Sequence, residues 1–236
     1  MLWVGTSGFQ YPEWHGKFYP QDLPASGMLA FYAQQFASVE INYTFRRFPS
    51  EDTLKSWRDE TPERFKFALK APARITEIKR LRGAIGDTRA FFTRVQLLGS
   101  KLGVIDFKLP ENFAPDLPLL NDFLDGLPLE IQAAFEFRHP GWHTDAMFTC
   151  LQEHHVALCV SDTESVHTPA VRTADYAYLR LRDEQYESSD ISHWANLVCD
   201  WQTTTTDIFV YFKHEATGKG PEFAREFLLQ VSEVCA

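Results

Sequence analysis

The feature that most restricts the fold of this chain is a series of short strand-like runs whose two alternating phases differ in kind. Val39, Ile41 and Tyr43 alternate with Glu40, Asn42 and Thr44, and Phe67 and Leu69 alternate with Ala68 and Lys70. Phe107 and Leu109 are set against Asp106 and Lys108, Phe135 and Phe137 against Glu136 and Arg138, and Leu179 and Leu181 against Tyr178, Arg180 and Arg182. Successive side chains of a strand point to opposite faces, so each run sends one set to each side of its sheet. Helices covering the sheet must take the apolar set, which leaves the charged set for the other side.

Between these runs lie stretches with helical periodicity, and the alternation predicts a parallel sheet because each crossover passes through a helix. Strands are expected at Leu2–Gly5, Ser38–Asn42, Phe65–Lys70, Leu102–Leu109, Glu130–Glu136, Val156–Val160, Tyr176–Leu181 and Ile208–Phe212. Helices are expected over Ala25–Phe36, after a Ser50 cap, over Asp87–Leu98, after a Thr144 cap, through Ile191, Trp194, Val198 and Trp201, and over Pro221–Val234 with Phe223, Phe227, Leu228 and Val231 inward. Eight strands and 236 residues suit one (β/α)₈ TIM-type barrel domain over the whole chain, 1–236. An open doubly wound sheet is the rival, but Gly5-Thr6-Ser7-Gly8 opens a long loop instead of the glycine fingerprint leading into a helix.

In a barrel the polar phase faces the interior, and the charges collect at the C-terminal mouth. With Asp162 after the sixth strand and Lys213, His214 and Glu215 after the eighth, six cations (Lys70, Lys108, Arg138, Arg180, Arg182, Lys213) meet five anions (Glu40, Asp106, Glu136, Asp162, Glu215). Barrels usually fill this space with branched aliphatics, and buried ions are costly unless well paired. A ligand site therefore explains the ring better than a plug. Glu40, Glu136, Lys70 and Asp162 are the candidate catalytic groups. Asn42, Lys108, Arg138, His139, Arg180, Arg182, Lys213 and His214 are the candidate substrate-binding groups, with Tyr11 and Trp14 from the aromatic first loop. Gly218 and Gly220 precede the last helix in a position suited to phosphate. A Schiff base at Lys70, Lys108 or Lys213 is the weaker reading, because lysines beside carboxylates stay protonated.

Other classes are disfavoured. A formal charge of −9 argues against duplex nucleic acid. His139 and His143 are separated by Pro140-Gly141 and cannot share a helical face, so no metal is assigned, and no cofactor or oligomeric state is identified. The N-terminus lacks an export signal and no run is long enough to span a membrane, which predicts a cytoplasmic protein. Cys150, Cys159, Cys199 and Cys235 show no CxxC spacing and are expected to be reduced.

The chain resembles the YecE-like family, catalogued as domain of unknown function family 72. The resemblance rests on Gly5-Thr6-Ser7-Gly8 with Tyr11, Trp14 and Phe18-Tyr19-Pro20; on Val39-Glu40-Ile41-Asn42 with Thr44-Phe45 and Pro49; and on Phe67-Ala68-Leu69-Lys70-Ala71-Pro72 with Ile75-Thr76. It continues in Phe135-Glu136-Phe137-Arg138-His139-Pro140 with Trp142, Asp162, Tyr178-Leu179-Arg180-Leu181 and Tyr211-Phe212-Lys213-His214. It implies a TIM-type barrel and no established activity. Lys108 stands where the family usually has glutamine, and Arg182-Asp183 where many relatives have His-Gly, which shifts the expected ligand toward a more anionic one. The leading expectation is an enzyme acting on a small anionic, phosphorylated or carboxylated, sugar-like substrate. A protein acting on single-stranded nucleic acid or phosphodiesters, and a non-catalytic metabolite sensor, are the alternatives.

Overall fold

The computed structural model describes residues 1–162, 167–213 and 218–235. Its frame is eight parallel strands: β1 (Leu2–Thr6), β2 (Ser38–Ile41), β3 (Lys66–Lys70), β4 (Leu102–Leu109), β5 (Ala133–Phe137), β6 (Ala157–Ser161), β7 (Tyr176–Leu181) and β8 (Asp207–Phe212). They pair in the order β1-β8-β7-β6-β5-β4-β3-β2. The seam between β1 and β2 is drawn together at its upper end, where Ser7 bridges Glu40 and the Gly8 amide donates to the Glu40 carbonyl at 2.8 Å. Gly5 permits this approach, since a Cβ there would lie 1.8 Å from the Ser38 carbonyl oxygen. Tyr32 spans the same seam, its hydroxyl accepting from the Thr6 amide and donating to the Ser38 carbonyl. The sheet is thus a nearly closed (β/α)₈ barrel of the TIM type.

The helices are α1 (Met28–Gln35), α2 (Tyr43–Arg46), α3 (Glu51–Asp59), α4 (Ile85–Val95), α5 (Leu117–Asp125), α6 (Asp145–Glu153), α7 (Ser188–Gln202) and α8 (Lys219–Val234). The predicted caps form: Ser50 Oγ accepts from the Thr53 amide and Thr144 Oγ1 from the Met147 amide. No helix among the described residues is long and apolar enough to cross a membrane.

Several expected boundaries change. The fifth strand begins at Ala133 instead of Glu130, because residues 128–131 turn, with the Ile131 amide donating to the Pro128 carbonyl. The second strand ends at Ile41, and Asn42 takes the N-cap position of α2 without a side-chain cap bond. Helix α5 was not anticipated; Asp116 caps it, and Leu120, Phe123 and Leu124 are its buried face. Leu228 of α8, expected inward, is 36% exposed.

The cysteines also require a correction. Cys199 of α7 and Cys235, just beyond α8, form a disulfide, whereas Cys150 and Cys159 are free and buried. The last two helices run side by side in the same direction, and their neighbouring C-terminal ends bring the two Cα atoms to 5.7 Å, a juxtaposition that a separation of 36 residues does not reveal.

The two phases of the strands segregate as the alternation requires. Val39, Ile41, Phe67, Leu69, Phe107, Phe135, Leu179 and Leu181 join the large core shared with the helices. Inside the barrel a separate cluster of Trp3, Val104, Tyr176, Tyr178, Phe209 and Tyr211, with small residues between them, fills the lower part. That aromatic floor keeps the charged layer near the C-terminal mouth.

Candidate active site

Arg180, on β7, is the centre of the charged layer. Its Nε donates to Glu40 Oε2 at 2.6 Å and its Nη2 to Glu40 Oε1 at 3.0 Å, while Nη1 donates to Glu136 Oε2. Glu40 also accepts from Ser7 Oγ at 2.5 Å and Tyr178 Oη at 2.8 Å. Glu136 accepts from Arg138 Nε at its other oxygen, and Arg182 Nη1 lies 4.0 Å from that oxygen. Every oxygen of the two glutamates is therefore engaged. Burial alone would raise their carboxyls, but Arg180 and then Lys70 dominate and hold both down near about 2. Arg180, although buried, is pushed well above the usual arginine range by Glu136 and Glu40.

Three groups beside this knot are less satisfied. Asp106 of β4 is fully buried, and neither of its carboxylate oxygens has a hydrogen-bond partner among the described residues. Burial, and next the charge of Glu136, push its carboxyl up to about 7. Lys70 sits opposite Asp106 in the strand register and is 8% exposed, with no hydrogen bond or ion pair among the described residues. Burial and then Arg180 lower its ammonium pKa, against the pull of Glu40, Glu136 and Asp106. Arg182 has Nε and Nη1 buried without a hydrogen-bond acceptor among the described residues.

The structure gathers Glu40, Lys70, Lys108, Glu136, Arg138, Arg180 and Arg182 in one inward phase at the mouth. Lys108 lies 3.7 Å from Glu77 and stands over the Phe45 ring at 5.1 Å. Asn42 donates from Nδ2 to Ser7 Oγ at 2.9 Å, which continues the chain Asn42, Ser7, Glu40, Arg180. Asn42 also lines a groove of about 340 Å³ with Gly8, Phe9, Tyr11, Tyr43 and Trp57, beside the charged layer. Tyr11 anchors its hydroxyl on the Ser7 carbonyl. Trp14 is buried and packs on Tyr11, Phe18 and Tyr19, so it seats the first loop.

The other candidates make different contacts. Asp162 lies just beyond β6 and bridges His167; its carboxylate accepts from the Arg182 amide at 2.7 Å and from the Tyr186 hydroxyl. Burial raises this carboxyl to about 6, although the Tyr186 hydrogen bond opposes the shift. His139 turns Nδ1 to the Gly141 amide at 3.1 Å. Lys213 is half-buried and its amide donates to the Leu181 carbonyl. Gly218 caps α8 at φ 74°, where a Cβ would meet Lys17 Cδ at 3.1 Å, and Gly220 is buried in the first turn. His214 and Glu215 lie outside the described residues.

Ser7 and Tyr178 were missed as site residues. Tyr178 is in the inward phase, so its place was readable, whereas nothing local marks Ser7 as a Glu40 partner 33 positions away. Asp106, Glu136 and Cys159 bring possible ligand atoms within 4.8 Å of one another. Their chemistry suits a cation poorly: both Glu136 oxygens are bonded to arginines, and burial raises the Cys159 thiol well above the usual range.

The family model described as "Protein of unknown function DUF72" matches residues 3–234. The UPF0759 protein YecE of Escherichia coli strain K12 is 27% identical over 241 residues, covering 89% of this chain and 86% of that protein. A DUF72 family protein of known structure from Thermotoga maritima superposes with a TM-score of 0.89 at 23% identity, covering 98% of this chain and 99% of the other. A second, from Enterococcus faecalis, gives 0.81 at 17% identity, covering 100% and 95%.

Proposed function

The chain belongs to the DUF72 family, a family of barrel proteins of unknown function, and on that premise we propose that it binds and converts a small phosphorylated or carboxylated metabolite at the C-terminal mouth of its barrel. The observation that carries this reading is Arg182, a guanidinium with two buried nitrogens lacking a hydrogen-bond acceptor among the described residues. Burying a donor without a partner costs about 1–3 kcal/mol, and more for a charged group. An oxyanion accepting from Arg182, beside Arg138 at the same Glu136 oxygen, removes that cost. Charge count supports the same ligand: five inward cations (Lys70, Lys108, Arg138, Arg180, Arg182) face three inward carboxylates (Glu40, Asp106, Glu136) among the described residues. Glu40 and Glu136 neutralise Arg180 and leave the outer cations for substrate. Titratable groups displaced in opposite directions around one position support chemistry there.

The test is thermal unfolding in inorganic phosphate and glycerol phosphate against chloride at matched ionic strength. A ligand at one hundred times its Kd adds about 2.7 kcal/mol of stability. The reading expects a rise in Tm for the wild type and its loss in Arg182→Ala. Equal Tm in phosphate and chloride, or an undiminished rise in Arg182→Ala, would refute it.

A further inference from the structure

We propose that Lys70 is a nucleophilic amine that condenses with the carbonyl carbon of a small anionic aldehyde or ketone, with Asp106 as the proton donor. The proposal rests on the anion-binding mouth described above and names its substrate class.

The argument begins with how the carboxylates are shared out. Glu40 gives one oxygen to Ser7 and Arg180 and the other to Tyr178 and Arg180, and Glu136 divides its oxygens between Arg138 and Arg180. Lys70, projecting into the same space from β3, is left without a bonded partner among the described residues. Lys108, by contrast, pairs with Glu77. The groups facing Lys70 are Arg180 from β7, Glu40 from β2, Glu136 from β5 and Asp106 from β4. Burial and the neighbouring guanidinium both favour the neutral amine, the form that attacks carbonyl carbon.

Asp106 is the complement. It lies across the strand ladder from Lys70, and both of its oxygens lack hydrogen-bond partners among the described residues. Burial and Glu136 favour its protonated form. An amine and an acid, each shifted toward its uncharged form, thus occupy facing register positions beneath cations suited to the substrate's anionic group.

The step balances within these groups. The Lys70 Nζ lone pair forms the C–N bond, the carbonyl π pair moves to oxygen, and that oxygen takes the Asp106 proton. The new ammonium nitrogen returns a proton to the Asp106 carboxylate, giving a neutral carbinolamine. Its hydroxyl then leaves as water with the Asp106 proton while nitrogen forms the C=N bond. A cationic iminium remains beside an ionised Asp106, and no oxidant or reductant is consumed.

The experiment traps this adduct in the whole wild-type protein, which avoids dependence on a folded variant. The protein is incubated with glycolaldehyde phosphate and sodium cyanoborohydride, and adducts are located by peptide mass mapping. Lys55 serves as reference, an exposed lysine beside Glu51. Capture in the mouth raises the local carbonyl concentration, so Lys70 is expected to label about tenfold faster than Lys55. Inorganic phosphate slows Lys70 alone, and Asp106→Asn slows Lys70 with Lys55 unchanged. Labelling of Lys55 with Lys70 untouched overturns the proposal, and the anion site stands or falls separately on the phosphate-dependent Tm. Rapid Lys70 labelling indifferent to phosphate supports the amine and removes the anion site.

Discussion

Replacing Asp106 by Asn tests the electrostatics of the mouth most directly. The carboxyl titrates near about 7 in the fold, against 3.8 as its ordinary value. Between those limits the folded chain holds a proton that the unfolded chain has released, so the wild type loses stability as pH rises. From about pH 5 to above about pH 7 roughly two pH units of this linkage remain, at 1.36 kcal/mol each, or about 3 kcal/mol in order of magnitude. The amide is close in shape to the neutral acid and does not ionise. The variant and the wild type should therefore be most alike below about pH 4, and between about pH 5 and about pH 8.5 Asp106→Asn should gain about 3 kcal/mol relative to the wild type. Urea unfolding of both proteins across that range measures the double difference, in which other groups cancel. A difference that stays flat with pH, or favours the wild type at high pH, would show that Asp106 is ionised in the fold at neutrality and would remove the proton donor proposed for Lys70.

Arg180→Ala should destabilise the protein by about 3–5 kcal/mol, because Glu40 and Glu136 lose the cation that holds them ionised; denaturant titration should find it costlier than Lys108→Ala, and equal costs would contradict the central role of Arg180. Cys199→Ser should lower the unfolding free energy by about 3–4 kcal/mol at most, the chain-entropy value for a loop of 36 residues. A matching fall in Tm when the wild type is reduced with dithiothreitol checks the bridge, and identical melting with and without reductant would contradict it.

Local patterns made most of the frame legible. The runs around Glu40, Lys70, Lys108, Arg138 and Arg180 carry their burial pattern in their alternation, so both the barrel and its charged interior could be read from them. Ser50 and Thr144 cap helices as expected because capping depends on three adjacent residues. Helix α5 carried a comparable signal in Asp116-Leu117-Pro118 with Leu120, Phe123 and Leu124, but its proline-rich approach reads as loop. Asp162 was readable only as a charge following the sixth strand; its partners, the Arg182 amide and the Tyr186 hydroxyl, come from 20 and 24 positions further on.

Strand periodicity and the order of elements depend on neighbours in the chain, and they alone determined a barrel with charges of both signs turned into its mouth. Which acid meets which base is another matter. Arg180 reaches Glu40 across 140 positions, and that pairing follows from strand register and barrel closure, quantities fixed only when the sheet curls on itself. Closure decided that Arg180 takes both glutamates, that Lys70 and Asp106 face each other in register without bonded partners among the described residues, and that two helices bring Cys199 to Cys235. The chemistry proposed for this protein lies in that distribution, because a group becomes reactive through what the fold withholds from it as much as through its own identity.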